Sequence, residues 1–415
     1  MRRSPWPLSA SSRRDSGPCG AVLNVRPVTD RMLIEALRAA HNDEQTVLVH
    51  GGQTKRDWLL DRGPAIDTTI DLSALSGVMT HDHGDMTATV QAGTPLAIFQ
   101  AAVGQRGQRL AIDPPLGPDR AATIGGIFST DDAGPGRIAY GSLRELCIGA
   151  TFALVDGTTA KSGSKVIKNV AGYDLCKLFC GARGTLAVIT ELTVRLHPHP
   201  AAESTVRAAM PLPAAAHAAM TLDDSVMADA ITYAGLDEGT LWIRVTGAKG
   251  LVSTQSQIIR EHLKKAGGEH IDTLEAADSQ VAWAQATEAR RAEPGESLVA
   301  VFVVREQMPA MAEAVADWLP TVPVTTLVSD VAHGTMLVRL NKTADAADHA
   351  AAVEGLRRLA RAHRGHARLR TAIRGLIDAV DPFGPLPSGT AIMGRIKSAL
   401  DPSGRLAPAR YLTNP

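Results

Sequence analysis

Four glycine-rich stretches in the first half of the chain carry residue types that bind an anion through main-chain amides. They read HGGQTK (50–55), DPPLGPDRAATIGG (113–126), STDDAGPGRIAYGS (129–142) and NVAGYDL (169–175), the last followed by GARGTLAVITE (181–191). Glycine permits positive φ and close approach of the backbone to a ligand, and successive amides can form a concave anion site. These stretches therefore predict the binding of a pyrophosphate.

None of these stretches matches a short nucleotide-binding motif. None reads GxGxxG ahead of a helix and an acidic residue, which excludes the Rossmann pattern, and none reads GxxxxGK[ST], which excludes a P-loop. A diphosphate site assembled from loops far apart in sequence remains. Such a site fits a large dinucleotide laid across the domain.

Short strands and helices must position these loops. The spacing predicts helices over 32–41 and 94–107 and strands over 46–52 and 87–93, so that a strand runs directly into the first glycine loop. The repeated order is strand, loop, helix. We expect this pattern to continue to about residue 199.

A second block, from about 200 to 375, has a pattern of its own. A strand-like segment at 237–247 precedes a helical segment at 251–268, and a strand-like segment at 332–341 precedes a helical segment at 347–365. Their Gly-Thr pairs, at 239 and 334, are 334 − 239 = 95 residues apart. If this spacing is not a coincidence, it predicts two related hairpin-plus-helix units that share one antiparallel sheet with helices on one face.

The predicted domain organisation has four parts. Residues 1–22 have basic residues but no apolar h-region, so they are expected to form a disordered tail and not a signal peptide. Residues 23–199 form a nucleotide-binding domain, 200–375 form an α+β cap, and 376–415 return to the first domain. A helix in that last segment is expected to end at Asp401-Pro402.

The composition excludes several classes of function. Lysine plus arginine and aspartate plus glutamate number 43 each, so no global charge holds nucleic acid or an anionic membrane. No apolar run reaches the roughly 18 residues that a spanning helix needs. Four cysteines without a CxxC pair indicate a reducing cytoplasm and no iron–sulfur cluster. Cys176 and Cys180, one helical turn apart, suit either a redox pair or, as we favour, two small buried side chains.

Taken together, these motifs resemble the FAD domain of the vanillyl-alcohol-oxidase/PCMH-type flavoproteins. The similarity is carried by VHGGQTK, ATVQAGTPL, the long segment from ATIGG through AGPGR to KNVAGYDL, and GTLAVITELTVRL. Within that superfamily the glycine pair with glutamine and lysine is most similar to the FAD-binding E subunits of bacterial glycolate oxidases. The similarity covers about residues 23–199, extends to the tail RIKSALDPSGRLAPAR, and is thin in the cap.

The resemblance implies an FAD-binding fold of two α/β subdomains and a set of cofactor residues. Gly51, Gly52, Gln53, Thr54 and Lys55 would bind the pyrophosphate. Thr123, Gly125, Gly126 and Ser129 would contact the ribityl and diphosphate part. Gly172 and Tyr173 would lie beside the flavin, with Asp174 starting a helix, and Ile189 would meet the adenine side.

Two departures from the family pattern affect the cofactor. Covalent flavin is usually attached to a histidine inside the first loop or to a cysteine in a later one, whereas this loop contains Gln53 and His50 precedes the glycine pair. The expectation is therefore non-covalent FAD. The family's Asn-Pro-Gly near the flavin is replaced by Ala407-Pro408-Ala409, so contact between the tail and the ring is not expected.

Oxidation of a 2-hydroxy acid needs a base for the hydroxyl proton, a cation for the carboxylate and a hydride acceptor. Related catalytic flavoproteins supply these groups through HxxGDGNxH, which this chain lacks; the nearest segment is DVAHGTML (330–337). His333, Arg244 and Arg339 are weak catalytic candidates. The pairs His81/His83 and His197/His199 have no third ligand nearby in sequence, so a metal is not expected.

Three hypotheses follow from the resemblance. The first is an FAD-binding subunit of a glycolate oxidase complex, which works with a catalytic flavoprotein subunit and an iron–sulfur subunit. It would be cytoplasmic and would meet the inner membrane only through those partners. The second is a stand-alone FAD-dependent D-2-hydroxy-acid dehydrogenase of the D-lactate type. The third is a flavin-free structural subunit.

Overall fold

The computed structural model describes residues 22–59, 64–164, 173–385, 388–408 and 410. The predicted tail 1–22 lies outside the described residues except for Val22. Among the described helices, none has both the length and the apolar character that crossing a bilayer requires.

The first part of the chain builds two small sheets and a separate two-stranded antiparallel pair, with helices beside them. Its elements are β1 (Leu23–Val25), α1 (Asp30–Asn42), β2 (Val47–His50), β3 (Thr68–Asp71), β4 (Val78–Asp82), β5 (Thr87–Gln91), α2 (Leu96–Gly104), β6 (Gln108–Arg109), α3 (Ile124–Thr130), α4 (Arg137–Tyr140), α5 (Leu143–Leu146), β7 (Cys147–Ala153), β8 (Thr159–Gly163), α6 (Leu175–Phe179), β9 (Val188–Arg195) and β10 (His197–Pro198).

These strands pair in sheets of different kinds. A parallel sheet has the order β1-β3-β2, and an antiparallel sheet has the order β4-β5-β9-β7-β8. The apolar face of α1 packs on the parallel sheet through Leu33 and Leu37, and Thr29 caps this helix by accepting from the Met32 amide. A second core, under the antiparallel sheet, contains Phe99, Phe128 and Phe152. The two α/β units of a PCMH-type FAD-binding fold are therefore present.

The second part of the chain builds one large antiparallel sheet. Its elements are β11 (Ala202–Met210), α7 (Leu212–Met220), β12 (Ala228–Ala234), β13 (Gly239–Gly247), α8 (Lys249–Lys265), β14 (Glu269–Glu275), α9 (Ala276–Glu288), β15 (Ser297–Phe302), α10 (Met308–Trp318), β16 (Val324–Asp330), β17 (Thr335–Leu340), α11 (Ala346–Ala362) and β18 (His366–Thr371). The chain continues through α12 (Leu376–Ala379) and α13 (Thr390–Leu400).

The sheet consists of two copies of one topology. Its order is β14-β11-β13-β12-β16-β17-β15-β18. Each half is a β-α-β-β-α-β unit whose strands lie in the order 4-1-3-2, and the halves meet at their second strands. The Gly-Thr pairs at 239 and 334 begin or precede the equivalent strands β13 and β17, which explains the repeat in the sequence.

The two faces of this sheet differ in chemistry. Alternate residues such as Val206, Ile243 and Val338 pack against α7, α8, α10 and α11 in the larger core. The intervening residues include arginines on β13, β17 and β18, and α9 covers part of that face through Trp283, which donates to Thr205 Oγ1. This arginine-bearing face is turned toward the first domain.

The C-terminal segment packs on the first domain. The Val47 amide donates to Arg405 O at 2.9 Å, and the Ala407 amide donates to Val47 O at 2.8 Å. Lys397 Nζ donates to Thr185 O at 2.7 Å and to Leu406 O at 2.9 Å. The α13 helix ends at Leu400, with Asp401 following.

Candidate cofactor site

A cavity of about 720 Å³ opens between the parallel sheet and the first antiparallel sheet. Its wall combines main chain from the loop after β2, the start of α3 and the segment that leads into β9. Its volume lies within the range of about 300–1,000 Å³ that small-molecule sites have. The predicted cofactor residues that line it are Gly51, Gly52, Gln53, Thr54, Lys55, Thr123, Gly125, Gly126, Ser129 and Ile189.

The loop after β2 contributes main-chain amides to this wall. The amides of Gly51, Gly52, Gln53 and Thr54 make no hydrogen bond to any residue that the structure describes. Gln53 has a left-handed φ of 54°, which turns the loop. Because amide groups without an acceptor need a partner, this loop has the donor set that a diphosphate would satisfy.

The start of α3 contributes mainly packing surface to the cavity wall, in contrast to the amide donors of the loop after β2. Thr123 caps the helix, and its Oγ1 accepts from the Gly126 amide at 3.2 Å, while the Gly125 amide donates to Ala92 O at 2.8 Å. These amides are therefore satisfied within the chain. The hydroxyl of Ser129 makes no hydrogen bond to a described residue, so it is the polar group that α3 offers to a ligand.

Two glycines of the wall, Gly52 and Gly125, are required by close packing and not by positive φ. A Cβ at Gly52 would lie 1.7 Å from Ala121 O, and a Cβ at Gly125 would lie 2.7 Å from Ala92 Cβ. Neither residue has a positive φ. At these two positions the close approach is between two segments of the protein itself, and close approach of the glycines to a ligand stays a prediction.

Basic side chains surround this cavity, which suits an anionic ligand. Lys55, Arg56, Arg183 and Arg410 line it, and Asp67 is the carboxylate among the described lining residues. Asp67 accepts from the amide and hydroxyl of Thr46, and these hydrogen bonds lower its pKa. The wall is therefore cationic on balance.

Sequence reasoning missed part of the wall. Arg183 and Gly184 line the cavity with positive φ values of 54° and 72°. Arg183 Nη1 donates to Trp58 O at 3.1 Å, which ties this turn to the first loop. The signal in the sequence was the glycine-rich GARGT segment. In the structure, two successive residues of this segment with positive φ form a turn that presents its backbone outward.

The octet KNVAGYDL is only partly described. Gly172 lies outside the described residues. Tyr173 is 93% exposed and does not line the cavity, so its contact with the flavin stays a prediction. Asp174 is the N-cap of α6 and accepts from the Lys177 amide, as expected for the start of a helix.

None of the three catalytic candidates lines the cofactor cavity, and each has a contact of its own. Arg244 Nη2 contacts Asp113 Oδ2 at 3.0 Å, and Arg339 Nε lies 3.3 Å from Glu296 Oε2. His333 contacts Thr335 Oγ1, and burial, then the charge of Arg137, lowers its pKa. The structure therefore gives each candidate a local partner, and a catalytic role for any of them stays a prediction.

The histidine pairs and cysteines have other surroundings. His81 contacts Gln108, and His197 packs edge-on against Tyr140. Cys147 and Cys176 are buried in the core under the antiparallel sheet. Among the described residues, no group of three or more potential ligands is arranged to hold a metal ion.

Similarity to known proteins is strongest in the first domain. Residues 22–163 match the FAD binding domain family. The chain is 31% identical to glycolate oxidase subunit GlcE of Escherichia coli over 58% of this chain and 65% of that protein. It is 34% identical to the mitochondrial D-lactate dehydrogenase [cytochrome] 1 of Saccharomyces cerevisiae over 43% of this chain and 30% of that protein. Each match thus covers less than two thirds of the relative.

Similarity in fold extends further than similarity in sequence. A solved structure of alkyldihydroxyacetonephosphate synthase matches with a TM-score of 0.66 at 16% identity, over 94% of this chain and 78% of that one. At this identity the match shows the fold alone. The family match and the cationic cavity agree on the cofactor, which is FAD. Residues 22–163 therefore form an FAD-binding domain of the PCMH type.

Proposed function

We propose that the chain is the FAD-binding flavoprotein subunit of a glycolate-oxidase-type complex, which oxidises glycolate or a similar 2-hydroxy acid and passes electrons to partner subunits. The observation that carries this proposal is the cationic cavity with its unpaired loop amides, in a chain that matches the E. coli subunit over 58% of its length. Residues 23–199 would be the FAD domain, 200–375 the cap, and 376–415 the returning segment.

FAD would be held without a covalent bond. The loop 51–55 would bind the diphosphate, Ser129 would contact the adjoining part, and the segment at Ile189 would meet the adenine. His50 precedes this loop and its Nδ1 lies 3.8 Å from Asp71 Oδ1, while the described cysteines pack in the core and line no part of the cavity. Bound FAD supplies a hydride acceptor; the chain's own residues hold it and limit access of water.

The partners would be a catalytic flavoprotein subunit and an iron–sulfur subunit. The E. coli relative is named as a subunit, which supports an assembly of more than one chain. This chain has four cysteines without cluster spacing, so the electrons would leave through a partner. The complex would be cytoplasmic, and any contact with the inner membrane would be made by the partners.

A second candidate is a stand-alone dehydrogenase of the D-lactate type. The yeast relative supports it, because that protein is 34% identical over 180 residues and is named as a complete dehydrogenase. The absence of HxxGDGNxH from the cap favours the subunit over this alternative. A flavin-free structural subunit was the third hypothesis, and the match to the FAD binding domain family argues against it.

One purification separates the three candidates. The chain is purified alone, its visible spectrum is recorded, and glycolate or D-lactate is added without oxygen, first alone and then with the partner subunits. A flavin band that bleaches only with the partners supports the proposal. Bleaching by the chain alone supports the stand-alone enzyme, and a colourless protein that does not take up FAD overturns both.

A further inference from the structure

A second, smaller cavity lies where the first domain meets the cap. Its volume is about 20 Å³, and its charged and aromatic lining includes Lys55, Trp58, Asp132, Arg290, Arg291 and Arg370. Thr54 and Lys55 line both this cavity and the cofactor cavity, so the two adjoin. The small cavity is therefore placed to hold one end of a molecule that reaches the cofactor.

One buried carboxylate serves two cations here. Asp132 is 2% exposed, and its Oδ2 lies 3.2 Å from Lys55 Nζ while its Oδ1 lies 3.8 Å from Arg370 Nη1. Neither oxygen makes a hydrogen bond to a described residue. The carboxylate is thus near both cations without being satisfied by either.

Arg370 is a buried cation of this cavity whose guanidinium makes no hydrogen bond to a described residue. Its guanidinium stacks on Trp58 with 4.6 Å to the ring centroid, its side chain is 11% exposed, and none of its donors reaches an acceptor among the described residues. A guanidinium carries five N–H donors. Burial lowers the pKa of Arg370 to about 10, and the nearby charge of Asp132 opposes this shift.

The buried charges of this cavity leave one cation in excess, whereas Asp57, which is exposed, and Arg291, which lies 4.0 Å from Glu288, also line it. Arg290 is matched by its own partner, with Nη2 2.6 Å from Asp330 Oδ2. Lys55 and Arg370 then share Asp132 alone. An excess charge with little access to solvent is unfavourable unless a counter-ion is bound, so the cavity has the electrostatics of a site for one monoanion.

We propose that this cavity binds the carboxylate of a small organic acid, with Arg370 and Lys55 as its ligands and Asp132 as the internal counter-ion that the acid displaces. The inference rests on the proposed function and names the residues that would hold its substrate. A volume of about 20 Å³ has room for roughly one water-sized group, so one carboxylate oxygen would enter between the cations and the rest of the acid would extend past Lys55.

A purely structural ion-pair cluster predicts a different outcome. If Lys55, Asp132 and Arg370 only join the two domains, removing either charge weakens the protein and neither change improves anion binding. If the cavity is an anion site, Asp132 competes with the ligand for the same cations. Loss of Arg370 and loss of the Asp132 charge should then change affinity in opposite directions.

The test is calorimetric titration of the flavin-loaded protein with acetate, which cannot be oxidised here, and with glycolate. We expect Arg370→Met to weaken binding of both acids by about tenfold or more, since hydrogen bonds to charged groups are lost. Asp132→Asn should strengthen binding several-fold. Arg368→Met is the matched control, because Arg368 lies two residues away on the same face, stacked on Phe302 at 5.1 Å, and does not line the cavity.

Several results overturn the inference. Equal affinity for chloride would show a nonspecific cationic patch, and weaker binding in Asp132→Asn would show a structural cluster. If Arg370→Met does not fold, Arg370→Lys takes its place, because lysine keeps the charge but lacks the planar guanidinium. Unchanged affinity in Arg370→Lys would also contradict the inference. Absence of flavin in the wild type would refute the proposed function alone, because the acid titration of the same protein still tests the anion site.

Discussion

Replacement of Gly52 by alanine tests whether the first loop and the start of α3 form one wall of the FAD site. The added Cβ would lie 1.7 Å from Ala121 O and 2.6 Å from Ala121 C, both of them backbone atoms that cannot rotate away. Ordinary contact begins at 3.4 Å, so the two segments must separate by about 1.7 Å. That shift exceeds half the length of a hydrogen bond, so the loop amides cannot keep their positions.

The expected effect is a loss of cofactor affinity. Overpacking typically costs about 1–3 kcal/mol. If this falls on the cofactor-bound form, the FAD dissociation constant rises roughly 5- to 150-fold. We would measure it by fluorescence titration of the apoprotein with FAD, with thermal unfolding of the apoprotein as the check on folding.

Gly250→Ala is the control for Gly52→Ala. Gly250 lies in α8, its Cβ would meet no atom within 4 Å, and alanine favours a helix, so stability should be unchanged or slightly raised and FAD affinity unchanged. Wild-type affinity in Gly52→Ala would refute the close-packed wall.

Three further predictions concern buried charges. Arg290→Met should lower the free energy of unfolding by about 3–5 kcal/mol, because it leaves Asp330 buried without its cation. Adding Asp330→Asn should restore part of this loss. Urea unfolding measures both variants, and no loss in the single variant would contradict the reasoning. Burial opposes the ionisation of Asp330, but the attraction of Arg290 outweighs it and the pKa of Asp330 is lowered. The stabilisation that the ionised Asp330 provides is therefore complete above the pKa of about 3.9 that an aspartate has in the unfolded chain, and it is lost as the pH falls through the lower pKa of the folded state. The wild type should therefore lose more stability than the double variant between pH 7 and pH 3. Lys397→Met should release the C-terminal segment, because Lys397 Nζ donates to Thr185 O and Leu406 O. The release would be seen as faster proteolysis near residue 400, and FAD binding should weaken through the turn at Thr185. Unchanged cleavage would show that the apolar contacts hold the segment.

Local sequence patterns predicted the strand-loop-helix order of the first domain and the repeat in the cap, whereas the FAD-binding fold was implied by the family resemblance. The strand into the first loop appears as β2, and the Gly-Thr spacing corresponds to two β-α-β-β-α-β units. The elements that make up these patterns are short-range features, because strand alternation and glycine turns each involve residues within about ten positions of one another.

Contacts between distant residues could not be predicted in this way. Asp132 follows α3 and Arg370 lies on β18, and no pattern in either segment indicates that they meet. The reason for Gly52 was equally hidden, because the group that excludes a side chain there is the carbonyl of Ala121. Sequence reasoning found the residue types, whereas their partners depend on how the two domains pack.

Three arginines of the cap face differ in how much of their hydrogen-bonding capacity the protein already uses. This difference makes Arg370 a better candidate than Arg244 or Arg339 for binding the carboxylate of a substrate. All three alternate with core residues on neighbouring parts of one sheet, so the sequence marks them as one polar face. Arg244 donates to Asp113 of the first domain, and Arg339 donates to Arg291 O and Thr326 Oγ1 within the cap. Their hydrogen-bonding capacity is used to fix the sheet and the domain contact. Arg370 shares a carboxylate with Lys55 at a longer distance and makes no hydrogen bond to a described residue, so a ligand can bind it without breaking a strong internal contact.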